Sequence, residues 1–215
     1  MNLTELETAA RNKYNAVGDT NWSSAEIRDL AYQACMELAT ECYVIENVYS
    51  TTTVSGTQEY AYPTYAIAIK RVTYNGGKLE PIGFRQDDAL TMNNQALTST
   101  GTSQYYAFWD NTLILRPIPD GAYTLKVYAY VEPQQITAST STLEVPTRCH
   151  INLVDFIVSE MAAKDQNFNM AKWYRDRWDS YKIKEKILTR KRMRADGFSQ
   201  VKDEESLPNT LLGAV

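Results

Sequence analysis

The hydrophobic periodicity changes twice along this chain of 215 residues, and these changes constrain the fold more than any other feature. Residues 1–43 and 146–194 place apolar side chains three and four positions apart, which is the spacing of amphipathic helices. Residues 44–145 alternate Thr, Tyr and Val with polar residues between turn signals, a pattern typical of strands. The order predicts an α+β fold, a bundle of about four helices with an inserted antiparallel β-sandwich or barrel-like module.

These changes divide the chain into four predicted parts. They are an N-terminal helical hairpin, a β-rich insertion, a C-terminal helix pair and an extended tail, over residues 1–43, 44–145, 146–194 and 195–215. Capping signals support both N-terminal helices. Thr4 and Glu7 have the spacing of a capping box for the first helix, and Ser23 and Glu26 have it for the second.

Within the β-rich insertion, residues 123–132 give the clearest strand pattern. Its apolar residues are predicted to face one way and the residues between them the other way; the first set is Leu125, Val127, Ala129 and Val131, and the second is Lys126, Tyr128 and Tyr130. Asn75-Gly76-Gly77 and Asp110-Asn111 predict two tight hairpin turns. A short helix is predicted from Arg85 to Asn93.

The second unusual feature is a long basic helix predicted from Met170 to Arg194. It carries ten Lys or Arg against three acids, so it has a charge of +7 while the rest of the chain has −11. An apolar seam runs along its first half and is lost by Arg190; its members are Ala171, Tyr174, Trp178, Tyr181 and Leu188. The first half can therefore pack on the core, whereas the last turns have no apolar face to bury.

Nothing in the sequence predicts catalysis, a cofactor or a metal. His150 is the only histidine, which excludes a histidine cluster, and a structural role at a helix start is expected for it. Adjacent Asp87 and Asp88 do not face each other on a helix, so a helix-start charge effect is preferred to an acid–base pair. The three cysteines, Cys35, Cys42 and Cys149, fit buried thiols. Neither a signal peptide nor a membrane span is expected.

Three interpretations of the basic helix remain open at this stage: a solvated amphipathic helix, a nucleic-acid contact and a contact with a partner protein. The net charge of −4 argues against a general nucleic-acid binder. The tail holds three leucines with no local core, Leu207, Leu211 and Leu212, which is typical of a segment that orders on binding.

Several short motifs follow one another along the chain. They are Trp22-Ser23-x-x-Glu26-Ile27, Tyr60-Ala61-Tyr62-Pro63, Leu113-Ile114-Leu115-Arg116-Pro117-Ile118-Pro119, Val131-Glu132-Pro133, and Val145-Pro146 before His150 and Asp155. In this order and spacing they make the chain resemble the head-to-tail adaptor, or connector, proteins of tailed bacteriophages, especially the short-tailed type. The resemblance covers almost all of residues 1–190.

The resemblance implies a structural virion protein without catalysis, present in the host cytoplasm during assembly and then at the phage neck. It implies a twelve-subunit ring that lies beneath the portal protein and extends the DNA channel. Genomic double-stranded DNA would pass through this ring without sequence-specific binding. The β module would receive the tail nozzle or tail tube. The predicted portal-binding residues are Arg190, Lys191, Arg192, Arg194, Leu207, Leu211 and Leu212. The predicted inter-subunit residues, facing the acidic N-terminal helices of a neighbouring subunit, are Lys182, Lys184 and Lys186.

Two alternative functions stay open on the sequence. Nucleic-acid binding would use residues 190–194 together with Tyr-rich strands such as Tyr105-Tyr106. A carbohydrate- or receptor-binding β module would use exposed aromatic side chains; the candidates are Tyr105, Tyr106, Trp109 and Tyr128.

Overall fold

The computed structural model of the protein describes residues 1–18, 21–83, 85, 87, 98–135, 138 and 142–195. Within these residues the chain forms four α-helices, which we number α1 Leu3–Tyr14, α2 Ser24–Cys42, α3 His150–Lys164 and α4 Phe168–Ala195. A single 3₁₀ turn, Thr147–Cys149, leads into α3. The long basic helix is therefore confirmed, and it begins two residues earlier than predicted.

The first two helices begin at capping boxes. Ser23 accepts a hydrogen bond from the Glu26 N–H and the Glu26 carboxylate accepts one from the Ser23 N–H, as predicted. For α1 the predicted box is wrong, because Asn2 is the N-cap and Glu5 completes the box. Asn2 lies two residues before the predicted cap and accepts from the Glu5 N–H, so the helix begins at Leu3 and a free N–H group of its first turn is satisfied there.

The described residues between α2 and α3 form ten strands. They are β1 Glu46–Thr52, β2 Glu59–Ala61, β3 Ala66–Tyr74, β4 Gly77–Lys78, β5 Glu80–Pro81, β6 Thr100–Gly101, β7 Tyr105–Trp109, β8 Thr112–Arg116, β9 Ile118–Pro119 and β10 Thr124–Val131. The predicted helix from Arg85 to Asn93 lies outside the described residues apart from Arg85 and Asp87. The two-residue strands β6 and β9 are too short to show a period in the sequence.

The strands form two four-stranded sheets and one two-stranded sheet. The first sheet has the order β1-β10-β3-β4 and is antiparallel throughout. The second has the order β2-β8-β7-β5, and its β5–β7 pair is parallel, as is the β6–β9 pair. The described strands leave open edges in both large sheets, so the module is not a closed barrel.

Backbone conformation explains the two tight hairpins. Asn75 and Gly76 have φ angles of 49° and 81°, and Asp110 and Asn111 have 43° and 57°. These positive values are those of the turns that connect adjacent antiparallel strands with two residues, and Asn, Asp and Gly adopt them at low cost. Both hairpins are as predicted.

Strand β10 carries the core of the module. Leu125, Val127, Ala129 and Val131 are all buried, as the alternation predicts. Tyr130 is a correction: it was expected to face away from the core but is only 3% exposed, because its ring packs against Tyr43 at a centroid distance of 5.2 Å. The segment between α2 and β1 thus covers part of the outer face of this sheet.

A buried ion pair ties the second sheet to the segment after β5. Arg116 donates to both oxygens of Asp87, at 2.8 Å and 3.0 Å, and also to the Gln58 side chain at 3.0 Å. Asp87 is therefore the buried partner of a strand arginine, a contact that the helix-start charge effect expected from the sequence does not include. Its charge is compensated by two charge-assisted bonds.

The buried apolar residues of helices and strands form one continuous cluster. Trp178 of α4, Ile157 of α3 and Leu38 of α2 are fully buried in the helical part, and Val72 and Leu115 are fully buried in the sheets. All three cysteines are buried free thiols, and burial raises the pKa of Cys35 to about 12 and of Cys42 to about 11. The predicted α+β class is confirmed; the division into four parts stays a prediction.

Candidate assembly interface

The inner face of α4 begins as an aromatic seam. Tyr174 and Trp178 are buried, and the Trp178 ring meets Phe156 of α3 edge-on at 5.6 Å between centroids. The Trp178 Nε1–H donates to Glu37 of α2 at 2.8 Å. The first half of the basic helix is thus anchored between α2 and α3, as the seam predicts.

Beyond Trp178 the inward-facing residues of α4 are polar but still buried. Lys182 retains only 9% of its side-chain surface and donates to Glu37 and Glu41 of α2, each at 2.9 Å; Asp179 lies 3.2 Å from the same ammonium. Burial disfavours the charged form of Lys182, yet the hydrogen bonds to Glu37 and Glu41 raise its pKa above the usual value. We call Lys182, Glu37 and Glu41 the lysine clasp.

The two carboxylates respond in the opposite direction. Burial alone would raise the pKa of Glu37, but hydrogen bonds from Trp178 and Lys182 outweigh it and lower that pKa. Burial also opposes ionisation of Glu41, and hydrogen bonds from Lys186 and Lys182 again lower its pKa. The clasp therefore holds its carboxylates ionised at neutral pH.

One turn further, Glu185 is buried on the α3 side of the helix. It accepts from Arg148 at 3.2 Å and from the Tyr181 hydroxyl at 2.9 Å. Thr189, one turn beyond, is also buried. Leu188, which the sequence assigned to the seam, is instead 46% exposed, because Lys182, Glu185 and Thr189 occupy the inward positions.

The predicted inter-subunit lysines differ in their surroundings. Lys182 is held in the clasp and Lys186 donates to Glu41 at 2.8 Å, so the expected pairing of the basic helix with acidic N-terminal helices is present within one chain. Lys184 is exposed on the outer side of α4. Of the three, Lys184 alone is exposed, while an inter-subunit role for all three stays a prediction.

The end of α4 presents the predicted partner-binding cations. Arg190, Lys191 and Arg192 are exposed, and Arg194 belongs to the same last turns of the helix. Leu207, Leu211 and Leu212 lie outside the described residues.

The sequence analysis missed two apolar residues on the outer side of the same helix. Ile183 and Ile187 are 59% and 49% exposed and lie one turn apart, almost opposite the buried seam. Their spacing of four in the sequence is the signal of this second apolar stripe, and it stands among basic residues.

Contacts fix the direction of α4. Glu37 contacts Arg175, Trp178 and Lys182, whereas Glu41, one turn later on α2, contacts Lys182 and Lys186. The two helices therefore run the same way, and α4 continues past the end of α2, where β1 begins. Nine residues follow Lys186 in α4, a length of about 13 Å. The basic end is consequently at the end of the bundle that carries the β module.

The four aromatic residues of the carbohydrate or receptor alternative do not form one platform. Tyr106 is buried, and burial raises its pKa. On β7, Tyr105 and Trp109 have the opposite side-chain direction to Tyr106, and Tyr128 belongs to the other large sheet. Only Trp109, 61% exposed at the β7–β8 hairpin, has a largely open ring.

Within the described ranges, no group of three His, Cys, Asp or Glu side chains could hold a metal ion. His150 uses its Nε2 for the Val145 carbonyl oxygen at 2.9 Å, as befits a structural residue at a helix start. Among the helices that are described, none has the length and apolar character needed to cross a membrane.

The structure is that of a mixed α+β protein: a helical bundle with an inserted β module and a basic terminal helix that is anchored by its aromatic seam. The sequence resembles phage adaptors. The family model of the SU10 adaptor proteins matches residues 1–197, so the chain belongs to the SU10 adaptor protein family. No curated protein matched the chain. Family membership agrees with the resemblance to a phage head-to-tail adaptor and gives the chain a structural role.

Proposed function

We propose that the chain is one subunit of a ring, of twelve copies, that joins the portal to the tail in the phage neck. Genomic double-stranded DNA passes through the ring without sequence-specific binding. The subunits assemble in the host cytoplasm and remain in the virion. Membership of the adaptor family supports this function, and the single structural observation behind it is the exposed basic end of a helix whose other half is locked into the core.

In this proposal the basic end and the tail form the portal-binding arm, made of Arg190, Lys191, Arg192 and Arg194 with Leu207, Leu211 and Leu212. The lysine clasp and Trp178 hold the arm's base, so the exposed cations need no contact of their own to stay in place. The tail adds twenty residues after Ala195, which can span at most about 70 Å when extended. The arm can therefore reach the portal although it starts beside the β module.

The β module supplies the contact with the tail nozzle or tail tube. Trp109 at the β7–β8 hairpin has a large apolar side chain that is 61% exposed, and this open ring supports the contact. Lateral contacts that close the ring involve the outer side of α4, where Lys184 accompanies Ile183 and Ile187.

Truncation tests the arm. A chain ending at Arg194 keeps every contact of the clasp, so we expect a folded protein with the thermal unfolding midpoint of the full chain. We expect its binding to purified portal rings to fall at least tenfold. A full-length variant with Arg190, Lys191 and Arg192 changed to Gln separates the helix cations from the leucine-containing tail. Undiminished portal binding by the truncated chain would refute the role of the tail.

The exposed cations also favour a second candidate, direct contact with duplex DNA. This function predicts a mobility shift with duplex DNA that weakens steeply as salt rises, because released counterions drive such binding. The glutamine variant would lose that shift. A full-length protein that gives no shift at low salt excludes this candidate.

A further inference from the structure

Strand β1 is an open edge of the first sheet. Among the described strands it pairs with β10 alone, over seven residues and without a register shift, and residues 46–50 are all exposed. From Asn47 to Thr52 it carries no charge and no proline. Folded proteins ordinarily protect such an edge with a charge, a proline or a bulge, since its free backbone groups pair readily with another strand.

Two backbone hydrogen bonds show which backbone N–H and C=O groups of β1 point away from β10. The Val131 N–H donates to the Ile45 carbonyl oxygen and the Thr53 N–H donates to the Tyr123 carbonyl oxygen, so odd-numbered residues direct their backbone towards β10. Even-numbered residues, including Val48, Ser50 and Thr52, direct theirs outward. The Val48 N–H is covered by the Asn47 side chain at 2.7 Å, which leaves Ser50 at the centre of the open stretch.

The other described edges are protected or short. The part of β3 beyond its contacts with β4 and Leu79, residues 66–71, contains both register shifts of the β3–β10 pair, and such bulges disrupt pairing. Strand β2 has three residues, and β4 and β5 have two each. A head-to-tail copy of this chain therefore has no matching regular edge to offer β1 among the described residues.

The outer face beside β1 is basic. Lys126 lies opposite Ser50 on β10, and Arg71 lies opposite Tyr128, which itself lies opposite Val48. Both cations are exposed, and neither has an ion pair within the described part of the chain. A residue added opposite Ser50 would stand about 9–10 Å from Lys126, two strand spacings, which lysine and glutamate side chains can bridge together.

We propose that β1 binds an extended segment of the tail-side protein as an additional strand, centred on Ser50. The segment is uncharged except for a carboxylate on the face of Lys126 and Arg71. Backbone pairing supplies the affinity and the basic face selects the acidic residue. This inference rests on the proposed function, in which the tail-side protein contacts the β module.

The test uses proline at position 50. Ser50→Pro removes an outward N–H that has no partner among the residues that the structure describes, so the ladder with β10 is kept while strand addition is blocked. Ser50→Ala keeps the N–H and is the matched control. Should Ser50→Pro fold poorly by circular dichroism, Val48→Lys places a charge on the same edge without changing the backbone.

Binding is measured with purified tails of the same phage and, separately, with purified portal rings. We expect Ser50→Pro to weaken tail binding at least tenfold, Ser50→Ala to stay within twofold, and portal binding to be equal for all variants. Lys126→Glu should weaken tail binding several-fold. Tail binding by Ser50→Pro equal to wild type overturns the inference.

Two further outcomes separate this inference from its premise. If the wild type binds portal but not tails, the tail contact of the proposed function fails and the inference fails with it. If light scattering shows a wild-type dimer that Ser50→Pro converts to a monomer while tail binding is unchanged, the occupant of the edge is a second copy. That result also overturns the inference.

Discussion

The lysine clasp gives the sharpest prediction for stability. Replacing Lys182 by methionine keeps most of the side-chain volume but leaves Glu37 and Glu41 without their shared ammonium. Removing one partner of a fully buried pair costs about 3–5 kcal/mol. The two glutamates keep 28% and 39% of their side-chain surface, so water replaces part of the interaction, and we expect a loss of about 2 kcal/mol.

The measurement is urea unfolding at pH 7 followed by tryptophan fluorescence, with the free energy of unfolding obtained by linear extrapolation. Lys184→Met is the matched control, because that lysine lies on the same helix but is exposed; its effect should stay within about 0.5 kcal/mol. Equal free energies for Lys182→Met and Lys184→Met would refute the assigned role of the clasp.

The pH dependence carries an independent signature. The folded-state pKa values of Glu37 and Glu41 lie below their usual 4.5, so the stability that these carboxylates contribute is present above pH 4.5 and is lost as pH falls through the folded values. The stability difference between wild type and Lys182→Met should therefore be constant from pH 6 to 8, and it should shrink as the carboxylates are protonated in acid. A difference that is independent of pH down to full protonation would mean that lost packing, not charge, causes it.

Four further variants test other contacts by the same urea assay. Ser23→Ala removes the N-cap of α2 and should cost about 1 kcal/mol, whereas Thr4→Ala, at the wrongly predicted cap, should cost clearly less. Asp87→Asn weakens the buried bidentate pair with Arg116 and should cost about 2 kcal/mol; no effect would mean that the pair contributes nothing net. Trp178→Ala should cost about 3–5 kcal/mol, since the ring is fully buried; a smaller loss would show that the seam can collapse around the gap.

The sequence predicts the fold class and most elements because their signals are local. The period change near residue 44, the Ser23 capping box and the turn residues at 75 and 110 each act within a few residues of chain, and all three appear in the structure. The basic helix is likewise long enough for its periodicity to be unambiguous.

The features that the sequence does not predict depend on residues that are far apart in the chain. Asp87 finds Arg116 and Lys182 finds Glu37 through folding, so neither burial can be read from neighbours in the chain. Tyr130 is buried by Tyr43, a residue from a different element. The free edge of β1 depends on strand order, which alternation of side chains leaves undetermined.

Some predictions remain open for the same reason. The portal-binding and inter-subunit roles of the α4 cations depend on other chains, whose surfaces the sequence does not contain. The structure nevertheless distinguishes the candidate contact residues: Lys182 is enclosed by its own subunit, whereas Lys184 and Arg190 are exposed.

The parallel course of α2 and α4 has a mechanical consequence. When α2 is held at its N-terminal end and α4 is pulled at its C-terminal end along the helix axis, the force is divided between the Glu37 and Glu41 contacts. Both contacts resist sliding of α4 along α2. Contacts in this shear arrangement share the tension, whereas contacts that are peeled apart fail one after another. Because α2 leads into β1 at that same end, tension between the helix end and the β module would instead load the Glu41 contacts before the Glu37 contacts. The turn between α3 and α4, at the far end, would carry little of it.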